Sequence, residues 1–101
     1  MVRFEWDETK ARSNARKHGV RFEEAMLVFA DPYALSEQDR LEGGELRWQT
    51  LGLAGGIVLL VVAHTVRNEQ EHEIIRIISA RKAARKERKR YDENRKEESF
   101  E

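Results

Sequence analysis

Lys10, Asn14 and Lys17 recur at i, i+4 and i+7, which sets them on one face of any helix formed there, with His18 beside them. The plainer meaning of that stripe is a solvated helix face. Arg67 stands at the outer end of the strand that begins with the apolar run Ile57 to Ala63. A strand end would hold its guanidinium rigidly, and that planar fork suits a phosphate. Arg81 follows the isoleucine-rich run Ile74–Ile78 and is expected in the first turn of a helix. A cation is disfavoured there by about 0.3–1 kcal/mol, so an internal ion pair or an anion contact is expected of it. Glu87 and Tyr91 stand at i and i+4 further on, where the plainer reading is a helix-face hydrogen bond plus a core aromatic.

Arg, Lys, His and Tyr without a metal suffice for cleavage of RNA. The 2′-hydroxyl is an internal nucleophile already beside its phosphate. A protein need only align it, stabilise the charged phosphorane and assist two proton transfers. Sufficiency is not specificity. His18, His64 and His72 show no HxxxH or HExxH spacing and there is no cysteine, so neither a metal site nor another cofactor is expected. No GxxxxGK[ST], GxGxxG or GxSxG motif is present, which leaves nucleotide hydrolysis and serine-hydrolase chemistry without support.

A chain of 101 residues is expected to form one domain. Without cysteine there is no disulfide framework. The longest apolar run is far short of the roughly 20 residues of a membrane helix, and Met1–Asp7 holds no signal-peptide core; a cytoplasmic protein is expected. The net charge of zero hides a polarised chain. Residues 20–75 carry four basic and ten acidic groups, whereas residues 76–96 carry ten basic and three acidic. Such a basic segment is the usual footprint for a phosphate backbone, though it serves an acidic protein partner equally well.

Several elements must position these groups. Val2–Trp6 alternates like a short strand. Asp7 reads as an N-cap and Gly19 as a C′ stop for a helix over 8–18. A second helix is expected from Phe22 to Phe29, ended by Asp31-Pro32. Tyr33–Glu37, Leu46–Leu53 with a possible bulge at Gly52, Ile57–Arg67 and Ile74–Ile78 read as strands. They are joined by a polar loop over 39–44, a tight Ala54-Gly55-Gly56 turn and a loop over 68–71. Ser79 is expected to cap a last helix from Ala80 to about Lys96, its Ala80, Ala84 and Tyr91 stripe facing the sheet. The result is an α+β domain over residues 1–96 with a disordered acidic tail at 97–101.

At these positions the sequence resembles the BrnT toxins. The opening Phe4-x-Trp6-Asp7-x-x-Lys10-x-x-x-Asn14-x-x-Lys17-His18-Gly19-Val20-x-Phe22-x-Glu24-Ala25 looks like the family's first signature. Glu45-x-Arg47-Trp48-x-x-x-Gly52 is similar to its middle block. The third stretch is Arg67 followed by Ile74-x-Arg76-Ile77-Ile78-Ser79-Ala80-Arg81-x-Ala83-x-x-x-Glu87-Arg88-x-x-Tyr91. His64 departs from the tyrosine expected there, and the acidic loop over 68–73 is unusual in a way that bears on substrate access.

The resemblance implies a RelE-like fold, an antiparallel sheet with two N-terminal helices and a basic C-terminal one. It implies a ribonuclease toxin of a type II toxin–antitoxin system that arrests translation. It also implies a ribbon-helix-helix antitoxin of the BrnA type, whose complex with the toxin binds operator DNA. Carried over by position, Lys17, His18, Arg67, Arg81, Glu87 and Tyr91 form the expected site. Arg67 and Arg81 would hold the scissile phosphate. Tyr91 with His18 or Lys17 would orient or protonate, and Glu87 would act as base or as holder of an arginine. Lys10, Lys82, Arg85, Arg88 and Lys89 would grip the RNA backbone, on a surface the antitoxin would cover. The competing expectation is a binding module that grips nucleic acid or an acidic partner and cuts nothing.

Overall fold

In the computed structural model, which describes residues 1–99 with side chains through Glu97, five strands form one sheet in the order β1-β5-β4-β3-β2. The strands are β1 (Val2–Glu5), β2 (Leu35–Glu42), β3 (Glu45–Ala54), β4 (Val58–Glu69) and β5 (His72–Lys82). The helices are α1 (Glu8–His18), α2 (Phe22–Met26, continued by a 3-10 turn over Leu27–Ala30) and α3 (Arg85–Ser99). The expected α+β class holds. The pairing is antiparallel except that β1 lies parallel to β5, so the chain's first strand becomes an edge beside its last.

Local chemistry sets the boundaries of α1 as expected. The Asp7 carboxylate accepts the Thr9 and Lys10 N–H groups, and Gly19 ends the helix in the left-handed region at φ 69°. The Gly55-Gly56 pair, at φ 60° and 74°, makes the tight β3–β4 turn. Gly52 is not a bulge. It pairs regularly with Leu60, and a Cβ there would meet Val28 Cγ1 at 2.9 Å, so it lets the 3-10 turn approach the sheet. The loop expected over 39–44 is mostly strand, with the turn confined to Gly43-Gly44.

The end of β5 differs most from the sequence expectation. Residues 80–82 continue the ladder, with Ala80 opposite Val62 and Lys82 opposite Leu60, so Ser79 caps nothing and α3 begins at Arg85. The opposite edge of β5, which β1 does not reach, is filled by Asn14. Its Oδ1 accepts the Ala80 N–H (3.1 Å), and its Nδ2 donates to the carbonyls of Ala80 (2.8 Å) and Val20 (3.0 Å). An amide side chain therefore stands in for a neighbouring strand. Asn14 is the buried residue of α1, not part of a solvated stripe. Asn14→Ala orphans these groups and is expected to lower the unfolding free energy by about 2–4 kcal/mol, read from urea titrations. A change below 1 kcal/mol would refute the role.

Both sheet faces carry core. Val20, Phe22, Ala25 and Val28 from the α1/α2 side pack on Ala54, Leu60, Val62, Ile77 and Ala80. On the other face Tyr91 of α3 packs on Leu51, Leu59 and Val61. Where disorder was expected from residue 97, α3 runs on to Ser99, because Lys and Glu are strong helix formers. Residues 100 and 101 of that expected tail lie outside the described residues.

Candidate active site

Tyr91 covers only one end of the α3-side face; the remainder is open and rich in arginine. Residues opposite one another in a ladder share a face. Val61 faces α3, so Arg81 opposite it does too, as do Ser79 (opposite Ala63), Arg76 (opposite Thr65) and Arg67, three alternations beyond Val61. A bulge decides this: Ala63 pairs with Ser79 but His64 pairs with Ile77, leaving Ile78 as an extra residue. Without it, Arg76 and Arg81, an odd number of residues apart, would point to opposite faces. Arg47 shares that face with Gln49 by simple alternation along β3, and a second shift, between Gln38 and Arg40, brings Arg40 opposite it.

At the α3 end, Arg81 Nη1 and Nη2 donate to both oxygens of Glu87 at 2.8 Å each. Glu87 Oε1 also accepts the Ala84 N–H at 2.7 Å. The Arg81 hydrogen bond holds the Glu87 carboxyl below its ordinary range, and Glu87 in turn raises the Arg81 guanidinium above its own. Glu87 is thus the holder of an arginine. Arg81 is in a strand, so no helix dipole opposes it; its side chain remains 41% exposed, with the Nε–H and one Nη2 N–H left to donate. Arg90 joins this end through Glu37 at 2.8 Å.

Tyr91 does not face the open surface. It is 2% exposed, and its hydroxyl donates to Asp31 Oδ2 at 2.6 Å. Burial, together with that carboxylate, pushes its pKa up to about 12. Asp31 also accepts the Leu53 and Tyr33 N–H groups, which keep it ionised against its partial burial. Tyr91 anchors α3 to the sheet, and the expectation that it protonates a leaving group is corrected to its plainer reading.

Arg67 sits apart from Arg81. Val61, opposite Arg81, is six residues from Arg67 along β4, a separation of about 20 Å. Arg67 Nη2 donates to Glu5 at 2.6 Å, and its Nε to Glu69. Arg76 donates to the other Glu5 oxygen at 2.8 Å. These hydrogen bonds lower the Glu5 carboxyl and raise the Arg67 guanidinium. One phosphate cannot touch both Arg67 and Arg81 in this arrangement, which corrects the expected clamp. The acidic loop lies at the Arg67 end, its tip at Gln70 and Glu71 with φ 48° and 71°.

Lys17 and His18 follow Asn14 by three and four positions, so the Asn14–Ala80 bonds bring the end of α1 to the stretch of β5 that carries Arg81. Among the described residues neither bonds to Arg81, Glu87 or Tyr91. Lys10 and Lys82 are exposed. Arg85, Arg88 and Lys89 are exposed on the side of α3 turned away from the Glu87–Tyr91 stripe, and so do not share the arginine face. Among the described residues no three His, Cys, Asp or Glu side chains converge as a metal site. Arg47, Arg76 and Arg90 were not singled out as site residues from the sequence. Alternation of Arg47 with Gln49 and Leu51 was the available signal; for Arg76 the bulge hid it.

A family model described as ribonuclease toxin, BrnT, of type II toxin–antitoxin systems matches residues 6–87. The chain belongs to the BrnT family. No curated protein matches it. The crystal structure of the Brucella abortus ribonuclease toxin BrnT, at 1.1 Å, is similar in fold, with a TM-score of 0.57 at 22% identity over 84% of this chain and 99% of that one. As a member of a type II family this BrnT protein is a ribonuclease toxin with RNA as substrate and a protein antitoxin as partner. The family match includes Lys17, His18, Arg67, Arg81 and Glu87 and stops short of Tyr91.

His64, on the α1/α2 face, ties three strands together: its Nε2 bonds Thr50 Oγ1, which bonds Ser36 Oγ, both at 2.7 Å. It is 3% exposed, and burial pushes its pKa down to about 4. Since the unfolded imidazole titrates near 6.5, stability is unaffected above that pH and falls between pH 6.5 and 4, where the unfolded chain binds the proton first. The loss is of order 3 kcal/mol. Urea midpoints measured across this window should fall in the wild type, and the fall should be much smaller in His64→Gln. Equal slopes in the two proteins would refute it.

Proposed function

We propose that this BrnT protein cleaves RNA internally without a metal, with Arg81 at the reaction centre. The observation that carries the reading is Arg81, fixed by the two hydrogen bonds it donates to Glu87 on an otherwise open face shared with Arg47, Arg67, Arg76 and Arg90. The 2′-oxygen attacks phosphorus, the P–O5′ bond breaks, and the products are a 2′,3′-cyclic phosphate and a 5′-hydroxyl. The free N–H groups of Arg81 stabilise the phosphorane's extra negative charge. Glu87 is a positioning residue, and Lys17 or His18 from the tethered end of α1 serves the proton transfers. Lys10, Lys82, Arg85, Arg88 and Lys89 attract RNA at longer range as exposed cations.

In this reading residues 1–96 form the toxin domain, and RNA loss arrests translation. The antitoxin is of the BrnA ribbon-helix-helix type; it covers the arginine face, and its complex with the toxin binds operator DNA. A cytoplasmic location fits a protein that acts on RNA and pairs with an antitoxin. Among the described residues no helix is long and apolar enough to cross a membrane. The test is incubation of purified protein with unstructured RNA in EDTA, followed by end-group analysis. Cyclic-phosphate and 5′-hydroxyl ends are expected. Salt-dependent binding without products would establish the non-catalytic module instead, and cleavage only with a divalent cation would overturn metal independence.

A further inference from the structure

Arg67 and Arg76 share the Glu5 carboxylate, and Arg67 also pairs with Glu69; two guanidiniums face two carboxylates, and only displacement of Glu69 leaves the remaining trio with a positive charge. Arg47 lies close by. One step beyond the Trp48–His64 pair, it falls beside Thr65, in the row that Arg76 occupies on the other side. Its one ion pair, to Glu42, is long at 3.6 Å, and its Nε has no hydrogen-bond partner, so it is among the least neutralised cations of this face. The three arginines surround Thr65 on a surface that α3 leaves uncovered. All are guanidiniums, the cation best matched to phosphate geometry.

The spacing is informative. Thr65 and Arg67 lie four and six residues from Val61, which marks the Arg81 row, so the cluster begins about 13 Å and ends about 20 Å from Arg81. A nucleotide has twice the backbone bonds of an amino-acid residue, so an extended strand advances about 7 Å per phosphate. The gap therefore spans roughly two to three nucleotides. Between the two ends the floor holds two polar side chains, Gln49 and Ser79, beside Ala63, all partly exposed. Such side chains can meet the edges of unstacked bases.

We infer that Arg47, Arg67 and Arg76 form a second phosphate subsite, so that the substrate is single-stranded RNA held at Arg81 and again roughly two to three phosphates away. This rests on the ribonuclease reading for its biological meaning, but the subsite itself is a binding property. Arg67 then grips a phosphate that does not react. Glu69, which pairs with Arg67, yields to the incoming phosphate, and this is where the acidic loop limits access.

The test uses uncleavable 2′-O-methyl RNA of one to six nucleotides, with affinities read by fluorescence anisotropy at fixed salt. Wild-type affinity should step up at least tenfold once the strand is long enough to reach from Arg81 to the second cluster. Arg76→Ala should reduce the long-to-short affinity ratio to about one, and Arg76→Lys should leave it intermediate, because an ammonium keeps the charge and loses the fork. Arg12→Ala, an exposed cation of α1, should keep the wild-type ratio. A smooth rise with length in the wild type, or equal weakening of all lengths by Arg76→Ala, would overturn the subsite. Parallel digestion of ordinary RNA separates the two ideas. A length step without cleavage removes the catalytic reading and keeps the subsite, and cleavage without a step does the reverse.

Discussion

Replacing Arg81 by alanine should lower RNA cleavage by 10²–10³-fold, the usual effect of removing one preorganised donor to a charged transition state. The loss should fall mainly on kcat, because the phosphorane carries more charge than the bound phosphodiester. Arg81→Lys should not restore activity, since one ammonium cannot span both Glu87 oxygens and still face a phosphate. Glu87→Gln should cost less, about tenfold, because the arginine keeps its charge but loses its fixed aim. Folded yield and urea midpoint of Arg81→Ala should stay close to wild type, since the pair is partly exposed. Undiminished cleavage by well-folded Arg81→Ala would remove the reaction centre from this face.

The second large effect is on stability. Tyr91→Ala removes the aromatic that packs on Leu51, Leu59 and Val61, together with its bond to Asp31, and should cost about 3–5 kcal/mol. That is a large share of the total stability of a small domain, so α3 should detach or the chain unfold. Tyr91→Phe keeps the packing. Asp31 keeps its two backbone donors, so the cost should be about 1–2 kcal/mol, with cleavage within a few-fold of wild type. A hundredfold loss of cleavage in stably folded Tyr91→Phe would return Tyr91 to the role of proton donor. Melting curves and initial rates on the same preparations decide it.

Much of the local structure was legible because it is set by neighbours in sequence. Asp7 and Gly19 mark α1 by satisfying or releasing backbone groups one turn away. Gly55 and Gly56 make a turn that few other residues can adopt. The spaced motifs of the family were legible for the same reason, as patterns along one chain. The end of β5 is not legible in the sequence, because Ser79 has the chemistry of a cap. It was outcompeted by ladder bonds to β4 and by an amide arriving from Asn14, 66 residues away.

The sequence alone determined the family, the α+β class and the order of elements. Only the tertiary structure decided which side chains share a face. One unpaired residue, Ile78, shifts the pleat by a single position and turns Arg76 and Arg81 to the same side, while strand length keeps Arg67 far from Arg81. Side-chain direction in a sheet alternates at every residue, so one bulge reverses it for everything beyond, and composition carries no record of the bulge.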